Sequence, residues 1–124
     1  MCGIVGLFIK NPALESELGA LVAPMLSEMT ERGPDSAGMA VYRDPNDKGC
    51  KVTVLSQKLD FDWASFEKAV NSHFSLNKFT VTQNHAVLSL DNSLNEVEEW
   101  LALNWSDLSV TSAGTNIEIF KGKG

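Results

Sequence analysis

Residues 51–112 constrain the fold more than any other part of the chain, because their apolar spacing switches repeatedly between the periods of strand and helix. Residues 51–57 alternate, with Val52 and Val54, and in part Leu55, directed inward, as in a strand. Residues 61–74 place Trp63, Phe66, Val70 and Phe74 on one side of a helix. Residues 79–82 and 86–90 alternate again, on either side of a short Gln83-Asn84-His85 turn. A second helix is expected over 93–104, with Ser93 as N-cap, Glu96 closing a capping box, and Val97, Trp100, Leu101 and Leu103 as its apolar face. Residues 108–111 form one more strand. Strand, helix, strand, strand, helix, strand is the order of a split βαβ, or ferredoxin-like, module.

The flanks follow a different pattern. Residues 1–9, M-C-G-I-V-G-L-F-I, are apolar and bounded by Lys10-Asn11-Pro12, which predicts a buried strand. Gly3 and Gly6 are costly inside a strand and imply close approach of another backbone or a ligand. Leu14, Leu18, Leu21, Val22, Met25, Leu26 and Met29 recur at helical spacing, with Pro24 expected to kink or split that helix and Gly33-Pro34 to end it. Residues 38–43 read as a strand, 44–49 as a dense turn, and 115–121 as a final strand. The fold class expected is α+β.

Composition narrows the function. In 124 residues, 16 acids outweigh 10 bases for a net charge of −6, which disfavours the basic face that nucleic-acid binding requires. No apolar run approaches the roughly 20 residues of a membrane span, and the N-terminus lacks a basic n-region and a small-residue cleavage site. Two cysteines, Cys2 and Cys50, are too few for a disulfide framework, so a reduced, cytoplasmic setting is expected. Neither cofactor nor metal is expected, because His73 and His85 have no third ligand at suitable spacing. Cys50 is expected to be a half-exposed thiol after a turn, and the two histidines to be surface or helix-capping residues. Trp63, Trp100 and Trp105 fit the cores and edges of helices, and the acids Glu96, Glu98 and Glu99 fit a solvated helix face.

Cys2 carries the most distinctive chemistry. Removal of Met1 would leave a residue with both a thiol and a free α-amine. An α-amino group titrates near ~8 and accepts a proton at neutral pH. One residue then supplies nucleophile and general base. A neighbouring cation would raise the thiolate fraction, and the flanking Gly3 would leave room for substrate.

Met1-Cys2-Gly3-Ile4-Val5-Gly6 resembles the N-terminus of the class II glutamine amidotransferases, an N-terminal-nucleophile hydrolase family. Arg32-Gly33-Pro34-Asp35-Ser36-Ala37-Gly38 resembles the R-G-x-D-S-x-G motif that these enzymes carry at a similar distance from the cysteine. The resemblance implies stacked antiparallel sheets between helical layers, and hydrolysis of the side-chain amide of glutamine to glutamate and ammonia through a γ-glutamyl thioester on Cys2. It implies that Arg32 lines the nucleophile's surroundings. Gly33-Pro34-Asp35 would form a turn beside it, and Asp35 and Ser36 would brace that turn through backbone hydrogen bonds. The ammonia would pass to a synthase domain or subunit, and an oligomer is compatible with that arrangement.

The resemblance is strongest over residues 1–43 and returns weakly at 117–124. It therefore implies an amidotransferase-like part made of residues 1–50 and 113–124, with 51–112 as an inserted ferredoxin-like module. Such an insert is similar to stand-alone amidotransferase subunits of glutamate-synthase-like enzymes. The family's H-x-R, aspartate and N-G elements for binding glutamine and stabilising the oxyanion have no counterpart among these residues, whose only arginines are Arg32 and Arg43. The chain accordingly reads as the opening, incomplete part of such a domain. A non-catalytic binding or subunit-interaction module built on the insert is the alternative.

Overall fold

The computed structural model describes residues 2–123. It separates into two compact units, one of N-terminal residues through Ala37 together with the extreme C-terminus, and one of Gly38–Lys121. The protein is mixed α and β, with two antiparallel sheets.

In the first unit a 3-10 helix, Pro12–Glu17, leads into α1, Leu18–Ser27, and a second 3-10 turn covers Thr30–Arg32. Asn11 caps the first of these by accepting the Ala13 N–H at 3.1 Å. Pro24 lies inside α1, and the helix changes type seven residues earlier, at Glu17 and Leu18, rather than at the proline. The strand expected over residues 1–9 does not form: its described residues have no regular structure, Ile4 is 97% and Phe8 83% exposed, and Met1 lies outside the described residues. A strand exists only through a ladder with a neighbour. The two sheets among the described residues contain no partner for this segment.

The second unit holds the core. Its strands are β1 (Ser36–Tyr42, which begins in the first unit), β2 (Cys50–Ser56), β3 (Leu76–Thr82), β4 (His85–Leu90), β5 (Leu108–Gly114) and β6 (Ile117–Lys123). Its helices are α2 (Trp63–His73) and α3 (Leu94–Asn104). From β2 to β5 the element order is the βαββαβ order expected for 51–112. The strands assemble as β3-β4-β2-β5, with β2 antiparallel to both neighbours. β1 and β6 form a separate two-stranded sheet.

Local chemistry explains the helix starts. Asp62 accepts the Ser65 N–H at 3.0 Å and its hydroxyl at 2.6 Å, so α2 begins at Trp63 rather than Phe61. Those hydrogen bonds hold the Asp62 carboxyl below the usual carboxylate range. Glu96 Oε2 accepts the Ser93 N–H at 3.2 Å, the half of the capping box that reaches back to the N-cap, and also accepts the Ser93 hydroxyl at 2.8 Å. Gly49 turns the chain into β2 at φ +75°, where a Cβ would collide with the Leu90 carbonyl and the Asp91 backbone.

The two faces of β2 differ in kind. Cys50, Val52 and Val54, with Ala86, Leu88 and Leu90 of β4, pack against Phe66, Val70 and Phe74 and against Val97 and Leu101. Leu103, expected on the same face of α3, is 84% exposed, because it lies about 240° round the helix from Val97. Lys51 and Thr53 point away from the helices and are also buried. They are covered by β6, whose Glu118 accepts Lys51 Nζ at 3.3 Å and Arg43 Nε at 3.2 Å. Thr111 Oγ1 donates to the Ile119 carbonyl at 2.6 Å, and Ser112 Oγ accepts the Ile119 N–H at 3.1 Å.

His85 and Cys50 are both buried, against expectation. His85 Nε2 accepts the Lys121 N–H at 3.0 Å, and its ring meets Phe120 edge-on. β6 and the helices cover positions that a turn-flanked sequence leaves open.

Two outcomes follow from this packing. Glu118→Ala leaves the Lys51 ammonium buried and unpaired, and should lower stability by about 3–5 kcal/mol. A urea titration measures the loss, and the Lys51→Met/Glu118→Leu pair should recover most of it. Burial also pushes the His85 imidazole below its ordinary value. The unfolded chain then takes up a proton near pH ~6.5 that the folded chain refuses. The contribution of His85 is complete above that pH and is lost as the pH falls toward the folded value. The urea midpoint should drop between neutral pH and pH ~5, and His85→Gln should flatten that dependence.

Candidate functional site

The sequence-predicted site residues Cys2, Gly3, Arg32, Gly33 and Asp35 all lie in the first unit, with Ser36 at the start of β1. The Cys2 thiol is free and exposed. Gly3, the next residue, faces the second motif. A Cβ built on Gly3 would lie 2.9 Å from Met29 Sδ, 3.2 Å from Arg32 Cδ and 3.3 Å from Arg32 Cβ. Met29 and Arg32 thus fill the space that a side chain at Gly3 would take. Gly3 meets side chains where another backbone or a ligand was expected, and Gly6 has nothing within 4 Å.

The 3-10 turn after α1 makes this contact possible. Met29 donates its N–H to the Leu26 carbonyl at 3.0 Å, and its own carbonyl accepts the Arg32 N–H at 2.9 Å. Thr30 Oγ1 donates to the Ser27 carbonyl at 2.8 Å. Arg32 closes the turn, and Gly33 leaves it at φ −155°, ψ 70°, donating its N–H to the Thr30 carbonyl at 3.4 Å. Pro34 and Asp35 form a turn into β1. Among the described residues neither the Asp35 nor the Ser36 side chain makes a hydrogen bond, and the backbone bonds of Thr30–Arg32 and Gly33 span the bend. Further along β1, a Cβ on Gly38 would sit 3.5 Å from the Phe120 carbonyl, so this glycine admits β6.

The arrangement presents an exposed thiol on a residue whose neighbour is packed against an arginine side chain. Sequence reasoning named the six residues above but missed Met29, which it assigned only to a helical stripe. Its place beside Gly3 depends on α1 ending at Ser27, and no local signal in the sequence shows that. Among the described residues no group of three or more His, Cys, Asp or Glu side chains could hold a metal ion, and no helix is long and apolar enough to cross a membrane.

The whole chain is 40% identical, over 125 aligned positions, to the glutamine amidotransferase-like protein GlxB of Rhizobium meliloti strain 1021. The chain spans 42% of that protein's length. A second relative, a protein of Methanothermobacter thermautotrophicus with a provisional glutamine amidotransferase name, is 50% identical over 42 residues, 34% of this chain and 13% of its own length. No family model matches the chain, and no solved structure matches it. The two similarities support a relationship to glutamine amidotransferase-like proteins.

The two thiols differ sharply in environment. Cys50 is 3% exposed, and burial, then the negative charge of Glu98, pushes its thiol up. Iodoacetamide at neutral pH should therefore alkylate one cysteine per native chain, Cys2, and both after denaturation. Peptide mass mapping of the native sample checks the assignment.

Proposed function

We propose that this chain carries the nucleophile end of a class II, N-terminal-nucleophile glutamine amidotransferase and performs the glutaminase half-reaction as part of a longer polypeptide or assembly. The observation that carries this reading is the contact between Gly3 and the Arg32 side chain, which joins the two motifs beside the only exposed thiol among the described residues. The names of the relatives point to the same chemistry.

With Met1 removed, the Cys2 α-amine takes the thiol proton, and Sγ attacks the amide carbon of the glutamine side chain. The carbon–nitrogen bond breaks as the nitrogen receives that proton, and ammonia leaves. The γ-glutamyl thioester is then hydrolysed by a water whose proton passes to the same amine, releasing glutamate and restoring the thiol. The Arg32 stem packs against Gly3, the residue that follows the nucleophile. Gly33 ends the 3-10 turn that presents Arg32. The released ammonia serves a synthase domain or subunit, as in glutamate-synthase-like enzymes. The pairing of β1 with β6 supports the view that the intervening residues are a ferredoxin-like module inserted into a hairpin of the amidotransferase part.

The test is covalent labelling of the full-length protein that carries these residues. 6-Diazo-5-oxo-norleucine should add once, at Cys2, only where Met1 has been removed, and Cys2→Ser should abolish the adduct. Arg32→Ala should slow labelling about tenfold, because the peptide that carries Cys2 loses a side chain it packs against. A processed, folded polypeptide that stays unlabelled, or is labelled elsewhere, rules this reading out.

A further inference from the structure

We infer that Met29 is a positioning residue for the nucleophile: its thioether fills the slot left by the missing Gly3 side chain and, with the Arg32 stem, fixes the peptide that carries Cys2. The inference rests on the reading of Cys2 given above and adds a residue that belongs to neither motif.

The geometry has three parts. First, the base of the Met29 side chain is held. Its N–H is bonded to the Leu26 carbonyl and its carbonyl to the Arg32 N–H, so the backbone is tied to α1 on one side and to the 3-10 turn on the other. Second, the tip reaches Gly3. The position that a Gly3 Cβ would take is 2.9 Å from Met29 Sδ, closer than a real Cβ comes to a neighbouring atom. The slot is therefore already full, with Arg32 Cδ and Cβ closing it at 3.2 and 3.3 Å. Third, Gly3 is joined to Cys2 by one planar peptide, so holding the Gly3 Cα limits where the Cys2 backbone can swing.

Met29 is half-buried while the thiol beside it stays exposed. A thioether is apolar, polarisable and a poor proton carrier, so its contribution is contact and not acid–base chemistry. Gly3 answers to the same constraint. It lacks a side chain because Met29 and Arg32 occupy the space, which is a steric reason separate from the substrate room inferred from sequence. An ångström of misplacement can cost a reacting group about a hundredfold in rate. Loosening this slot should therefore register in chemistry that requires a placed thiol, and not in the reactivity of the thiol as such.

The experiment compares two alkylations of Cys2 in the full polypeptide, by 6-diazo-5-oxo-norleucine, which requires a placed thiol, and by iodoacetamide, which does not. Met29→Ala should lower the first rate about tenfold and leave the second unchanged. Met29→Leu, which refills the volume, should return the first rate to within about threefold of wild type. Gly3→Ala should be slower still, and Met29→Ala placed on top of it should raise the rate, because removing the thioether makes room for the new methyl group. Thermal melts of all four variants separate positioning from loss of fold. Wild-type labelling with an unchanged Met29→Ala rate overturns this inference alone, as does an equal fall in both alkylations. Absence of any wild-type labelling removes the proposed glutaminase reading and this inference with it.

Discussion

Both faces of β2 are buried, and the rest of the described core depends on that. The apolar face, through Val52 and Val54, holds α2 and α3 to the sheet. The other face carries Lys51 and Thr53, which water would ordinarily cover. Leaving Lys51 there without a partner would cost several kcal/mol. Glu118 on β6 answers it and also takes Arg43, the residue that follows β1. A single carboxylate therefore ties β6 to the central strand and to the end of its own partner strand. The hydroxyls of Thr111 and Ser112 and the imidazole of His85 complete the seam by bonding the β6 backbone. These bonds specify one placement of β6 on the sheet, where an apolar face would tolerate several.

The N-terminal unit is held together differently. None of its described residues is buried, and its order comes from short-range backbone bonds in α1 and the 3-10 turns. Its one long-range packing contact of consequence to the site is that of Gly3 with Met29 and Arg32. The contact gives the separation of the two motifs a physical meaning: the chain goes out through α1, ends it, and brings the Arg32 stem back against Gly3, the residue after the cysteine.

Much of this was legible in sequence where the signal is local. The capping box at Ser93 and Glu96 and the helical stripe of Phe66, Val70 and Phe74 depend on neighbours a turn away, and both were read correctly. The strand–helix order from β2 to β5 followed from the switching of period. Misreadings arose where a distant element intervenes. Residues 1–9 have the composition of a strand, but composition cannot supply a ladder. His85 reads as a turn residue and is buried because β6 packs on it, and Cys50 is buried because it opens the interior strand β2 on the face that α2 and α3 cover.

Sequence alone determined the two helices and four strands of the central sheet, and it set Cys2 and Arg32 in two separate motifs, because spacing and motif are properties of the chain itself. Tertiary structure decided which faces are covered, that a buried lysine is answered by Glu118, and that Met29 stands against Gly3. Those outcomes depend on where one element meets another across long stretches of chain, and no periodicity encodes that meeting.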